Sequence, residues 1–194
     1  MMNAMSPAVF EAIAVVFGIV SVYLSVRENI WSWPTAIVNV TLYIFVFYQA
    51  RLYADMSLQV VYIGISLYGW YEWLHGGRGK SRLEVSRGTR RLSLLLAGIG
   101  VVAAAILGTL LARSTNAALP YLDSTTTTTS LIAQWMMARK ILENWLVWIA
   151  VDVVYIGMFV YKSLILTAVL YAVFLVLSLT GYFQWKRSLH SPQA

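Results

Sequence analysis

The chain has 194 residues, of which 60% are hydrophobic and 11% charged, and its mean hydropathy is +0.71. Soluble domains average about 25% charged residues, so most of this surface is built to avoid water. The absence of cysteine excludes a disulfide framework, a thiolate metal site and a cysteine nucleophile, and the two histidines, His75 and His190, are too few for a His-rich metal site.

A bilayer core about 30 Å thick takes about 20 apolar residues per helix. Seven stretches meet that requirement: Val9–Val26, Ile30–Ala50, Leu52–Trp73, Leu92–Leu111, Tyr121–Ala138, Leu142–Tyr161 and Ser163–Trp185. Lipid offers no partner for free backbone N–H and C=O groups, so each is expected to be a helix. The first stretch begins near Pro7, carries Glu11 and has neither a basic leader nor a small-residue cleavage site, and reads as a retained span rather than a signal peptide. Pro34 falls in the first turn of the second span, where proline is tolerated. The expected fold class is an all-α integral membrane protein with seven transmembrane helices, forming one membrane domain over residues 1–194.

The segment His75–Arg91, HGGRGKSRLEVSRGTRR, carries six basic residues: Arg78, Lys80, Arg82, Arg87, Arg90 and Arg91. With this loop in the cytoplasm, Arg27, Arg139, Lys140, Lys186 and Arg187 are cytoplasmic too, against Arg51, Arg113 and Lys162 outside. The positive-inside rule therefore expects an outside N-terminus and a cytoplasmic C-terminus. The formal charge of +6 belongs to such a loop rather than to a nucleic-acid surface. Trp31, Trp33, Trp73 and Trp185 lie near span ends, as expected of an interfacial aromatic belt.

The chain also repeats itself. IVNVTLYIFVFY around Asn39 resembles AVDVVYIGMFVY around Asp152, with nine residues from Asn39 to Tyr48 and nine from Asp152 to Tyr161. SLYGWYEW ends at Trp73 and SLTGYFQW at Trp185, with Gly69 and Gly181 four residues earlier; GIVSVYLSVREN resembles SLIAQWMMARKI. The expectation is a first three-helix repeat over 9–73, a basic cytoplasmic loop over 74–91, a linker helix over 92–112 and a second three-helix repeat over 121–185. An odd linker span makes this 3+1+3 arrangement a parallel repeat, and transporters place substrates near the midplane between such halves.

Asp152 lies mid-span, where a charge costs at least about 2.5–3.5 kcal/mol and marks a cavity or a partner. Trp145, Trp148, Asp152 and Tyr155 are three, four and three residues apart and share a helix face. Two indoles and a carboxylate suit a flat, positively charged ring, through stacking and cation–π attraction; a carboxyl bonded to a neighbouring helix is the structural alternative. The repeat sets Ser32, Thr35, Asn39 and Val40 at the corresponding places. The third span carries Gln59, Tyr62, Ser66 and Trp70, whereas the seventh is mostly apolar, with Tyr171 opposite Gln59. In the fifth span Gln134 is a candidate contact, and Thr125–Thr129 are expected to bond their own helix carbonyls. Arg139, Lys140, Glu143 and Asn144 read as a charged interfacial hairpin.

QWMMARKILENWLVWIAVDVVYIG, with Val38–Tyr43 and RLYADMSLQVVYIGISLYGWYEW in the first half, resembles the PnuC family over nearly the whole chain. The resemblance implies a SWEET-like helix arrangement, a homotrimer in the bacterial inner membrane and passage of nicotinamide riboside, which a separate cytoplasmic kinase traps by phosphorylation. It implies that the tryptophans of ENWxxW, Glu143, Asn144, Trp145 and Trp148 here, line the substrate site; some relatives have Asn where this chain has Asp152. Thiamine and other nucleoside-like or vitamin-like cations stay open as substrates. In the expected mechanism, facilitated diffusion by alternating access, a pyridinium lies between Trp145 and Trp148 near Asp152. Gln59, Asn39 and Gln134 bond its polar groups, with Asn144, Tyr155, Tyr43, Tyr62 and Trp70 completing the site.

No cofactor, nucleic acid or ion site is expected, and no GxxxxGKS/T phosphate loop occurs. An enzyme would require an acid–base pair, and Asp152 has no mid-span His, Cys or second carboxylate to serve as one. A retinal protein would require a mid-span Lys, and an ion channel would gain little from a stacked aromatic pocket.

Overall fold

The computed structural model describes residues 7–49, 51, 53–114, 119–161, 163 and 165–190. All seven α-helices among them match expected spans: α1 Pro7–Val26, α2 Ser32–Gln49, α3 Tyr53–His75, α4 Arg90–Ser114, α5 Pro120–Ala138, α6 Asn144–Tyr161 and α7 Ile165–Ser188. Four of them, α1, α4, α6 and α7, are long and apolar enough to cross a membrane by length and composition. The expected span ends at Ala50 and Leu52, and the outside charge Lys162, lie outside the described residues.

The chain divides into two compact units, Met1–Glu84 and Val85–Ala194. In the first, α2 packs against both α1 and α3. In the second, α4 packs on α5, α5 on α6 and α6 on α7. Many large apolar side chains are exposed, Leu166 at 88% and Val101 at 71% among them. Leaving such surface in water forfeits the favourable transfer of apolar area, so these helices are built for lipid.

Helices α2 and α6 begin two residues later than their apolar runs. The chain first turns through Glu28 (φ 52) and Lys140 (φ 47), in left-handed conformations. Asn29 N–H then bonds Leu24 C=O, and Ile141 N–H bonds Met136 C=O. These two turns are 112 residues apart, and the same spacing recurs elsewhere. Arg51 and Ser163 both have φ 58. Trp33 and Trp73 meet edge-to-face at 5.4 Å and 88°, and Trp145 and Trp185 at 5.3 Å and 86°. Tyr43 stacks on Phe47 and Tyr155 on Phe159.

Two expectations are corrected here. Aligning Asn39 with Asp152 uses a spacing of 113, but Trp33 meets Trp73 in the first unit as Trp145 meets Trp185 in the second, a spacing of 112 that sets Val40 rather than Asn39 at the place of Asp152. One residue is a rotation of about 100° on a helix, which carries Asn39 to a different face. The tryptophan belt is the second correction. Trp31 is 65% exposed, as an interfacial residue should be, but Trp33, Trp73 and Trp185 are buried at 2%, 3% and 0%. Glycine explains why: a Cβ on Gly69 would lie 2.3 Å from the Trp33 ring, and one on Gly181 would lie 2.6 Å from the Trp145 ring. The bare backbone admits each indole between its helices.

Candidate functional site

The second unit gathers a polar nest on the faces of α5, α6 and α7. Asp152 is 3% exposed, and its Oδ2 accepts a hydrogen bond from Ser178 Oγ on α7 at 3.1 Å. The Tyr155 hydroxyl, one turn along α6, lies near the hydroxyls of Thr126 and Ser130 on α5, the latter buried without a hydrogen-bond partner among the described residues, and within electrostatic reach of Asp123 and Asp152. Gln134, half-buried, is one turn beyond Ser130. Aromatic rings wall this nest: Tyr155 lies 4.6 Å from Tyr171, and Phe159 lies 5.2 Å from Tyr171. Trp148 is half-buried on the same stripe of α6 as Asp152.

At the start of α6 the geometry is tighter. Asn144 is fully buried and its Nδ2 donates to Ile141 C=O at 2.6 Å, while its Oδ1 has no partner. Trp145 is also fully buried, clamped by Gly181 and Trp185, and its Nε1 has no partner. Its ring faces are thus occupied by protein in this structure.

The other expected site residues belong to the first unit. Asn39 Nδ2 donates to Ala14 C=O at 2.6 Å, tying α2 to α1. Tyr43 stacks on Phe47 at 5.6 Å. Gln59, Tyr62 and Trp70 are half-buried along α3. Ser66, the counterpart of Ser178, is 1% exposed.

Ser178 was missed by sequence reasoning, which treated α7 as apolar; the Ser66–Ser178 spacing of 112 residues was the signal that marks it. Thr126 and Ser130 were missed as contacts because a threonine run bonds its own backbone. It does so here: Thr125 Oγ1 donates to Tyr121 C=O and Thr128 Oγ1 to Ser124 C=O. Thr126 makes the same bonds, to Leu122 and Asp123 C=O, and still turns its oxygen toward Tyr155.

The charged hairpin between α5 and α6 is more than an interfacial loop. Ser86 N–H bonds Lys140 C=O at 2.9 Å and Leu142 N–H bonds Ser86 C=O at 2.8 Å. The Gly88 N–H donates to Glu143 Oε2 at 2.8 Å. The end of the basic loop is thereby clasped to the turn that launches α6. Replacing Glu143 with alanine removes a charge-assisted acceptor from a half-buried amide, an interaction of about 1 kcal/mol after allowance for solvent. Amide exchange at Gly88 is expected to speed up about fivefold while the Trp145 amide stays protected. Unchanged exchange at Gly88 would show that the two backbone bonds at Ser86 hold the loop alone.

Apolar helices with large exposed apolar side chains and a buried polar nest walled by aromatic rings fit a membrane protein of the solute-transport class. The chain belongs to the nicotinamide mononucleotide transporter family, which matches residues 8–187. It is 25% identical to the nicotinamide riboside transporter PnuC of Escherichia coli, over 92% of this chain and 85% of that protein. It is 27% identical to the PnuC of Neisseria mucosa, over 94% and 74%. It is also 25% identical to the riboflavin/roseoflavin transporter RibM of Streptomyces davaonensis, over 88% and 81%. The crystal structure of the vitamin B3 transporter PnuC superimposes with a TM-score of 0.75 at 25% identity, covering 94% of this chain and 83% of that one.

Proposed function

We propose that this protein carries nicotinamide riboside across the bacterial inner membrane by facilitated diffusion, through alternating access. The observation that carries this reading is the nest around Asp152, where a buried carboxylate meets several hydroxyls and aromatic walls, with Asp123 a second acid within electrostatic reach of Tyr155. A pyridinium riboside is a flat cation with hydroxyls and fits that chemistry. A mononucleotide adds a phosphate that would face a carboxylate, so the family's descriptive name is the poorer guide to this chain. Trp148 supplies the stacking surface, Asp152 the countercharge, and Tyr155 and Gln134 the polar contacts, with Asn144 and Trp145 shaping the start of α6.

The riboside-named relatives in two organisms support the same substrate, and the riboflavin-named relative supports a second reading, in which a flat neutral ring takes the same place. The 112-residue recurrence of turns and tryptophan pairs supports the SWEET-like 3+1+3 parallel repeat with seven spans, and charge balance supports an outside N-terminus and a cytoplasmic C-terminus. A homotrimer and a separate intracellular kinase that traps the substrate complete the proposal.

Calorimetry of the purified protein tests it, with nicotinamide riboside, nicotinamide mononucleotide, thiamine and riboflavin as ligands. The riboside is expected to bind, and Trp148→Ala to weaken it about tenfold, the scale of a lost stacking and cation–π contact. Binding of riboflavin or thiamine alone would move the substrate and keep the site. Binding of none would end the reading.

A further inference from the structure

Apart from the nest, the second unit carries a groove of about 630 Å³ between α4, α5 and α6. None of the proposed substrate contacts lines it. Small residues on α4, Ala97, Gly100 and Ala104, open it against the larger Ile132, Met136 and Leu146. It runs along α4 from Ser93 to Ala105, a length of about 18 Å at 1.5 Å per residue. One leaflet of the hydrocarbon core is about 15 Å thick, so the groove has the reach of one acyl chain. At the end away from Ser93 lies Tyr121, whose ring approaches α4 only because position 108 is glycine: a Cβ there would lie 2.6 Å from Tyr121 Cδ1.

The open end has a different character. Arg90 and Arg91 begin α4 one turn before Ser93, Arg87 precedes them, and all three are exposed. Glu143 also lines this end, with its Oε2 accepting from the Gly88 N–H, so one carboxylate stands there against three arginines. An apolar slot about as long as one leaflet is thick, with exposed arginines at the start of the helix that lines it, has the shape and flanking charge suited to an anionic phospholipid.

We propose that this groove binds one acyl chain of an anionic phospholipid, with its phosphate held by Arg90 and Arg91 in the leaflet on the side of the basic loop. The proposal is independent of the transported substrate. It is tested by native mass spectrometry of the purified full chain, with phosphatidylglycerol and phosphatidylcholine of equal chain length. Phosphatidylglycerol is expected to be retained about fivefold more strongly per arginine engaged. R90Q and R91Q should each lower its retention about fivefold and leave phosphatidylcholine unchanged. Ala97→Leu, which fills the slot, should lower retention of both lipids. Equal retention of the two lipids by the unaltered chain overturns the proposal, as does phosphatidylglycerol retention unmoved by the arginine variants. A change in oligomer mass in Ala97→Leu with lipid retention intact overturns it in favour of a second copy of the chain as occupant. Should Ala97→Leu fail to fold, the exposed arginine variants still decide.

Discussion

Gly181→Ala is expected to cost about 2–3 kcal/mol and to lower the apparent melting temperature in detergent by about 5–10 °C. The new methyl would lie 2.6 Å from the Trp145 ring carbons. Trp145 cannot give way easily, being fully buried and braced edge-on by Trp185. Either α7 moves away from α6 or the indole leaves a favourable rotamer, and both forfeit the dispersion contacts that hold helices together in lipid. Gly69→Ala is expected to act in the same way on Trp33, where the gap is 2.3 Å. Gly157 is the control, because no atom lies within 4 Å of a Cβ placed there; alanine at this helical position should be neutral or stabilising by about 0.5–1 kcal/mol. Thermal unfolding monitored by tryptophan fluorescence separates the cases. A Gly181→Ala protein that melts with the unaltered one would mean that the indole wedge does not hold α6 to α7.

Asp152 should give the larger functional effect. Asp152→Asn keeps an acceptor for Ser178 Oγ and removes the charge. The fold should persist while riboside affinity falls about 10- to 100-fold, corresponding to about 1.4–2.8 kcal/mol, a plausible share of a carboxylate–cation attraction in a partly desolvated site. The reduced riboside has the same shape without the positive charge and should bind the two proteins equally. Asp152→Leu removes both charge and acceptor, and should add a stability loss to the binding loss. Calorimetry with both forms of the ligand reads this directly. An equal loss for charged and uncharged ligand would assign Asp152 a purely structural role as the α6–α7 link.

The helical class, the order of the elements and most of their ends were legible in the sequence, because span length and apolar composition are imposed by bilayer thickness and by the backbone's need to satisfy itself. Asp152 was legible for the same reason: a charge in an apolar helix stands out without any knowledge of its neighbours. The likeness between Trp73 and Trp185, each with a glycine four residues before it, was also legible, but what those residues do was not. An indole near a span end reads as interfacial until the opposing helix is known to present a glycine, and only packing in three dimensions puts Gly69 against Trp33 and Gly181 against Trp145. Tertiary structure also chose between the 112- and 113-residue alignments. Similar apolar residues tolerate a shift of one along the chain, whereas ring packing does not, since each step turns a helix by about 100°. That choice sets the apolar Val40 in the position that corresponds to Asp152. The clasp of Glu143 on Gly88 joins residues 55 apart in sequence, and the groove beside α4 depends on which small side chains meet which large ones. Contacts of that kind are properties of the folded chain, because no local pattern in the amino-acid order specifies which distant surface a residue will face.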